Sequence, residues 1–431
     1  RLGRLRVPST LGGTVTDSTP QPRPGAPAPG PTGETPGAGV DRSLLEEAGG
    51  LLDETVALRR RLHAHPEVGN DLPDTQQMIL DAIDGLDLRI ETGSTVSSVV
   101  AVLDGDEPGP TTLLRGDMDA LPMPEDTGVD FASALDGRMH ACGHDTHMAM
   151  LVGAARLLRR RRSQLKGRVV LMFQPGEEGH GGAKLMLDEG LLDRHGPIDR
   201  AFAIHAIANL PSGLITTRPG TLMASADEFR VTITGRGGHA SMPHDAVDPV
   251  PVACEIVTAL QTMVTRRVPA FDPAVLTVTR IQTGTAFNVI PEVAYCDGTM
   301  RAVSDASRDR LLQGLREVAE HVAAAHRCTA VVDMVDHGYP VTVNDDAAAE
   351  RTLATATALL GEAHVLAMPT PVMGAEDWSY VLAQVPGSMA FLGVARPDDP
   401  NPAPNHSNRM MVDEPAMVHG VALHAAMALT A

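Results

Sequence analysis

Eight consecutive residues, His140-Ala141-Cys142-Gly143-His144-Asp145-Thr146-His147, carry a thiol, three imidazoles and a carboxylate. Thiolate and imidazole are ligands for zinc and, to different degrees, for cobalt, nickel and manganese. Asp145 can orient an imidazole from behind. Cys-x-His alone is a weak signal; the surrounding histidines make metal binding the better reading. Further along, the apolar run 169–173 leads into Gln174-Pro175-Gly176-Glu177-Glu178-Gly179. Such a carboxylate pair has two readings. Acidic residues suit a helix start because they oppose the dipole. Alternatively, one carboxylate binds a metal while its neighbour takes a proton from an activated water.

Other candidates are single residues. His205 closes the apolar run 201–204, where a hydrogen-bonded core histidine is the plainer reading. His406, in Asn405-His406-Ser407, sits in a Pro/Asn-rich loop, where simple surface exposure is the alternative. Asp117 and Asp119, in Arg115-Gly116-Asp117-Met118-Asp119-Ala120-Leu121-Pro122, can bind a metal, orient a ligand or cap a turn.

These side chains need elements to hold them. Apolar residues at helical spacing run from Leu44 to Leu62, and a second helix is expected near 75–86. Short apolar runs at 98–103, 111–114, 169–173 and 201–204 read as strands, with helices at 146–160 and 183–189 among them. The alternation predicts an α/β fold: a mostly parallel sheet covered by helices on both faces. In such sheets chemistry gathers beyond the carboxyl ends of the strands, where the candidates fall. Near Ala224 the pattern changes. A half-solvated strand at 228–234 opens the order βαββαβ, with helices at 249–265 and 306–325 and strands at 275–281, 294–303 and 330–335. This describes an inserted α+β domain. The expected organisation is a Pro/Gly-rich disordered tail at 1–40, a catalytic domain at 41–222, the insertion at 223–337, and a return to the first domain at 338–431.

Composition narrows the class. The 431 residues are 43% hydrophobic, with a net charge of −19 and pI near 5.3. That balance disfavours nucleic acid and anionic membranes as partners. No apolar run reaches the ~18 residues of a membrane span, and a cytoplasmic location is the expectation. Four cysteines are too few for a disulfide scaffold. Cys142 is assigned to metal; Cys254, Cys296 and Cys328 lie in apolar segments and are expected to be buried core thiols.

At this point the chain resembles a known family. Its motifs stand in order: Leu62-His63-Ala64-His65-Pro66-Glu67, Asp117-Met118-Asp119-Ala120-Leu121-Pro122, His140 to Asp145, Glu177-Glu178-Gly179, His205, Gly237-Gly238-His239-Ala240-Ser241, Asn288-Val289-Ile290-Pro291, Gly374-Ala375-Glu376-Asp377 and His406. Together, over residues 43–428, they resemble the zinc-dependent amidohydrolase family of aminoacylases and related carboxypeptidases. The similarity is greatest to the branch of hippurate hydrolase and the auxin-conjugate hydrolases.

The resemblance implies two divalent metal ions, zinc first, with cobalt, nickel or manganese as alternatives. It implies Cys142, His144, Glu178, His205 and His406 as ligands and Glu177 as general base. Asp117 and Asp119 would support the site from behind the ligands. His239 would reach an active site, often a partner subunit's, and steady the oxyanion, with Asn288 contacting substrate nearby. The insertion would then be a lid and a dimerisation module, making a homodimer or larger homo-oligomer. The implied reaction is hydrolysis of the amide of a small N-acyl-amino acid, hippurate-like. Cys142 in His-x-Cys-x-His leans towards this branch; a dipeptidase or carboxypeptidase, or an inactive metal-binding homologue, are the alternatives. Gly116, the Ala206-Ile207-Ala208 stretch, Ser407-Asn408 and Met410 depart from the family pattern, and bear on the substrate pocket rather than the metals.

Overall fold

The structure, a computed structural model, describes residues 39–335 and 338–430. The tail expected at 1–40 therefore lies, up to residue 38, outside the described residues. A large sheet of eight strands runs, edge to edge, Arg89–Thr92, Val99–Asp104, Lys166–Gln174, Glu107–Asp117, Arg200–Pro211, Gly387–Ala395, Ile215–Thr217, Val365–Ala367. The four central strands pair in parallel. The outer pairings include three antiparallel ones, so the sheet is mixed but parallel where it matters for the site.

Both faces are buried, and the strands show it residue by residue. Val169, Leu171 and Phe173 face one core, with the helices Ser43–Gly49, Leu52–His63, Pro73–Ile83, His144–Arg160 and Met417–Leu429. Val170 and Met172 face the other, with Ala183 and Met186 of the helix Gly182–Asp188, Leu191 and Trp378. A strand apolar on both faces reads as a continuous hydrophobic run, as expected of a covered parallel sheet.

The long helical pattern from Leu44 to Leu62 is two helices rather than one, Ser43–Gly49 and Leu52–His63. Gly49-Gly50 interrupts it, because each glycine costs ~1 kcal/mol of helix relative to alanine. The helix expected from Thr146 begins earlier, at His144, after Gly143 in the left-handed region at φ 86°.

The second sheet is antiparallel and has four strands, ordered Ala274–Thr283, Val293–Ala302, Asp227–Thr234, Thr329–Met334. Helices Pro249–Arg267 and Asp305–Ala325 cover one face, so chain order is βαββαβ. Phe229, Val231 and Ile233 point inward and alternate with solvated residues. Ala274–Thr283 is an edge strand and mostly exposed. One cysteine expectation fails here: Cys296 and Cys328 are buried but Cys254 is exposed. Its neighbours Val252, Ala253 and Ile256 take the inward face of the helix, leaving Cys254 outside.

Candidate metal centre

Parallel pairing brings several chain ends to one edge of the large sheet. Asp117 pairs with Gln174 at the ends of adjacent strands, and His205 pairs with Phe391 two strands over. The chain leaves Gln174 through a tight turn that carries Glu177 and Glu178. Gly176 makes the turn possible: its φ is +67°, and a Cβ there would lie 1.9 Å from Asn70 Oδ1. Helix His144–Arg160 delivers Cys142 and His144 from its N-terminal end. His406 arrives from a loop held by Asn405, whose amide donates to Cys142 O at 3.1 Å and Ala206 O at 2.9 Å. His406 itself sits at φ 65°, a sparsely populated conformation for a residue with a side chain, held by its N–H bond to Ala141 O.

The five candidate donors converge. Cys142 Sγ lies 3.4 Å from His205 Nε2 and 3.3 Å from His406 Nε2. His406 Nε2 is 3.2 Å from Glu178 Oε1. His144 Nε2 is 3.9 Å from both Glu178 Oε1 and Glu177 Oε2. Two donor sets overlap at the sulfur: Cys142, His144 and His205, and Cys142, Glu178 and His406. The ring tautomers suit cation binding. His144 Nδ1 donates to Asp119 O at 2.7 Å and His205 Nδ1 donates to Ala206 O at 2.9 Å. In the neutral ring, that tautomer leaves the Nε2 lone pair free to meet a cation. His144 Nε2 is buried with no hydrogen-bond partner among the described residues, and Glu178 Oε1 meets His406 Nε2. A buried, unpartnered ring nitrogen among a thiol and carboxylates is costly unless a cation meets it, so the donor set fits a metal.

Charge follows the same logic. Burial, with Glu376, Glu178 and Asp377 close by, pushes the Glu177 carboxyl well above the usual range. Burial also works against ionised Glu178, but His406 and His144 hold its carboxyl below the usual range. Hydrogen bonds to Cys142 and Glu178 lift the His406 imidazole to about 10.

Asp117 and Asp119 lie behind these groups. The Asp119 carboxylate accepts the N–H of Glu177 at 2.9 Å and of Glu178 at 3.0 Å, fixing the turn. Asp117 accepts from His147 Nδ1 at 2.5 Å and pairs with Arg115 at 2.6 Å. His147 Nε2 in turn accepts the N–H of Ala206, next to His205. Sequence reasoning gave no role to His147, Arg115, Gln174, Glu376, Asp377 or Asn405. Arg115 is buried and also reaches Glu376 at 2.8 Å and Asp377 at 3.2 Å, while Gln174 bonds Asp377 at 2.7 Å. The usable signal was Arg115 beside Asp117, a full charge closing an apolar strand. A cavity of ≈ 430 Å³ opens over the donors. Glu228 and Arg301 of the small sheet line its other wall.

His239 and Asn288 are not among the residues lining this cavity. They lie together on an exposed arm of the inserted region, where His239 pairs with Val289 and Ala240 N–H bonds Asn288 O at 3.0 Å. The His239 ring engages Ser241, at 2.8 Å from Nδ1 to the hydroxyl.

Residues 113–430 match the model of the peptidase family M20/M25/M40. The chain belongs to that family. It is therefore a hydrolase acting on amide or peptide bonds. Curated relatives include an IAA-amino acid hydrolase of Arabidopsis thaliana, 38% identical over 90% of this chain and 88% of its own length. Another is thermostable carboxypeptidase 2 of Saccharolobus solfataricus, 35% identical over 88% of this chain and 95% of its own. Among solved structures, a dinuclear metal-binding peptidase of the M20 family from Bacillus subtilis superposes with a TM-score of 0.76 at 32% identity, covering 88% of this chain and 98% of its own. Among the described residues, no helix is long and apolar enough to cross a membrane.

Proposed function

We propose that this chain hydrolyses the amide of small N-acyl-amino acids, hippurate-like in form, at a dinuclear metal centre. The carrying observation is one acid, Glu177, beside a cluster of five converging donors in which the buried His144 Nε2 has no hydrogen-bond partner among the described residues. Cys142, His144, Glu178, His205 and His406 would hold the ions, with Asp117 and Asp119 supporting them. Two divalent ions held there, zinc first and cobalt, nickel or manganese as alternatives, would supply Lewis acidity and a water of lowered pKa.

The chain's own residues do the rest. Glu177 takes the proton of the attacking water and returns it to the amide nitrogen as the C–N bond breaks. Its burial suits this task, because a carboxyl of raised proton affinity holds a proton between the two transfers. Arg301 lines the cavity with its Nη1 unpartnered, and would receive the free carboxylate of the amino-acid half. His239 would stabilise the oxyanion and Asn288 would contact substrate, both delivered by the inserted domain acting as a lid at 223–337. Because the arm stands apart from its own cavity, these two residues would serve a second copy of the chain. The open edge of Ala274–Thr283 is the surface for that homodimer.

A carboxypeptidase reading is the runner-up, favoured by the Saccharolobus relative. Arg301 would equally receive a peptide's C-terminal carboxylate. The test is a panel of N-acetyl-, N-benzoyl- and auxin-type amino-acid conjugates against dipeptides, with zinc-loaded protein and detection of released amine. Turnover confined to acyl conjugates and abolished by chelation supports the proposal. Turnover confined to peptides selects the runner-up, and chelator-resistant activity rules out the metal site.

A further inference from the structure

The two carboxylates at the heart of the site hang from one short turn, and that turn is gripped from outside its own domain segment. The Tyr339 hydroxyl accepts the N–H of Gly179 at 2.8 Å and donates to the C=O of Glu177. Tyr339 is nearly fully buried and forms part of the cavity wall. Asp119 holds the N–H groups of Glu177 and Glu178 from below; Tyr339 holds the other side of the same turn. A phenol suits this work, since it donates and accepts at one atom. Burial, with Asp377 and Glu177 close by, keeps it protonated.

The position of Tyr339 in the chain matters as much as its contacts. Its backbone pairs with Ala226: Tyr339 N–H to Ala226 O at 2.7 Å, and Ala226 N–H to Tyr339 O at 2.9 Å. Ala226 immediately precedes the first strand of the small sheet, Asp227–Thr234, and Tyr339 follows its last, Thr329–Met334. The two residues are therefore the paired connections on which the inserted domain hangs. Tyr380 pins this hinge from the large-sheet side. Its hydroxyl donates to Gly338 O at 2.6 Å, and its ring meets Tyr339 edge-on at 6.2 Å. On the small-sheet side, Arg308 binds Asp227 through two bonds of 2.8 and 2.7 Å.

We infer that Tyr339 is a positioning residue through which the hinge of the inserted domain sets the Glu177-Glu178 pair. The inference rests on the roles proposed above for those two acids. Removing the hydroxyl takes one partner from each of these two backbone groups and leaves the turn only its own Gly179 N–H to Glu177 O bond of 2.8 Å; a displacement of ~1 Å at a reacting group costs on the order of a hundredfold in rate.

The test uses the full chain carrying Tyr339→Phe. In the zinc-loaded protein, kcat should fall at least about tenfold with KM within about twofold of wild type. In chelator-stripped protein, calorimetric zinc titration should show affinity lowered by about tenfold at the weaker site. Amide exchange at Gly179 should accelerate by about tenfold or more. A purely structural tyrosine predicts the opposite pattern, a lower Tm with wild-type kcat, zinc affinity and Gly179 exchange, and that result overturns the inference. If Tyr339→Phe does not fold, Tyr380→Phe loosens the hinge without touching the turn. It should lower kcat several-fold at unchanged KM, and a wild-type kcat would overturn the inference. Should wild-type protein cleave no substrate in the panel, the proposed function fails, while zinc titration and Gly179 exchange still decide the role of Tyr339.

Discussion

The carboxyl edge of the large sheet and the arm of the inserted domain are built to opposite rules. At the sheet edge, Cys142, His144, Glu177 and His205 are buried, and each is held by a neighbour that is itself held. On the arm, His239 and Asn288 are exposed, and Phe287 beside Asn288 is fully open to solvent. Val289 and Met242 near them are also half open. The first region looks finished within one chain. The second carries polar groups and apolar surface that stay exposed in the single chain. Donors that must sit within fractions of an ångström belong on a packed core. Groups that close over a substrate belong on a part that arrives later.

The largest effects should therefore come from the sheet edge. Glu177→Gln keeps the shape of the side chain but cannot take a proton. We expect kcat to fall by about a thousandfold or more, with metal content unchanged on elemental analysis. Activity near wild type would remove Glu177 as the base. His239→Ala should cost about a hundred- to a thousandfold, the range for one oxyanion donor. Mixing inactive Glu177→Gln with inactive His239→Ala should restore turnover once subunits exchange. No recovery despite proven exchange would mean that the arm serves its own cavity.

The contrast also explains what could be read from sequence. The run 169–173 announced a strand buried on both faces, because all five residues are apolar and the two cores take alternate members. Cys142 and His144, and Glu177 and Glu178, were visible as local pairs. His406 was not. Its place depends on Asn405 sewing a loop to Cys142 and Ala206, and on a left-handed backbone that no local pattern signals. Arg115 reaches Glu376 across 261 positions, a pairing that only the fold creates. Ile215–Thr217 and Val365–Ala367 are three residues each, too short to show a period of two. The break at Gly49-Gly50 and the outward face of Cys254 were legible in principle, from glycine cost and helical period, and were missed.

Arg301 stands between the two regions, on the small sheet but facing the donors. Arg301→Met keeps much of its length and removes the charge. A charge-assisted bond to a substrate carboxylate is worth roughly 1.5–3 kcal/mol. We therefore expect KM for acyl-amino acids to rise about tenfold or more, with kcat changing far less. Amides of the same compounds, lacking the free carboxylate, should lose little between wild type and variant. Equal losses on both substrates would remove Arg301 from carboxylate recognition.

The smallest effect we predict is confined to the packed edge and concerns pH. His63 is buried, 2.9 Å from Asp145 and 3.2 Å from Glu125. Burial opposes its charge, but the two acids outweigh it and raise the imidazole to about 9. A pKa raised on folding stabilises fully below the unfolded value, near 6.5, and the gain is lost as pH climbs through about 9. The contribution is on the order of 3 kcal/mol at most, since removing the proton also leaves the Asp145–Arg59 pair in place. In a chain of this length that corresponds to a fall in Tm of only a few degrees between pH 6.5 and pH 9. His63→Asn should flatten this slope while lowering Tm at pH 6.5. A wild-type slope in the variant would place the titrating group elsewhere. If the slope instead vanished on deleting contacts of the arm, the division between a packed edge and an exposed arm would be wrong.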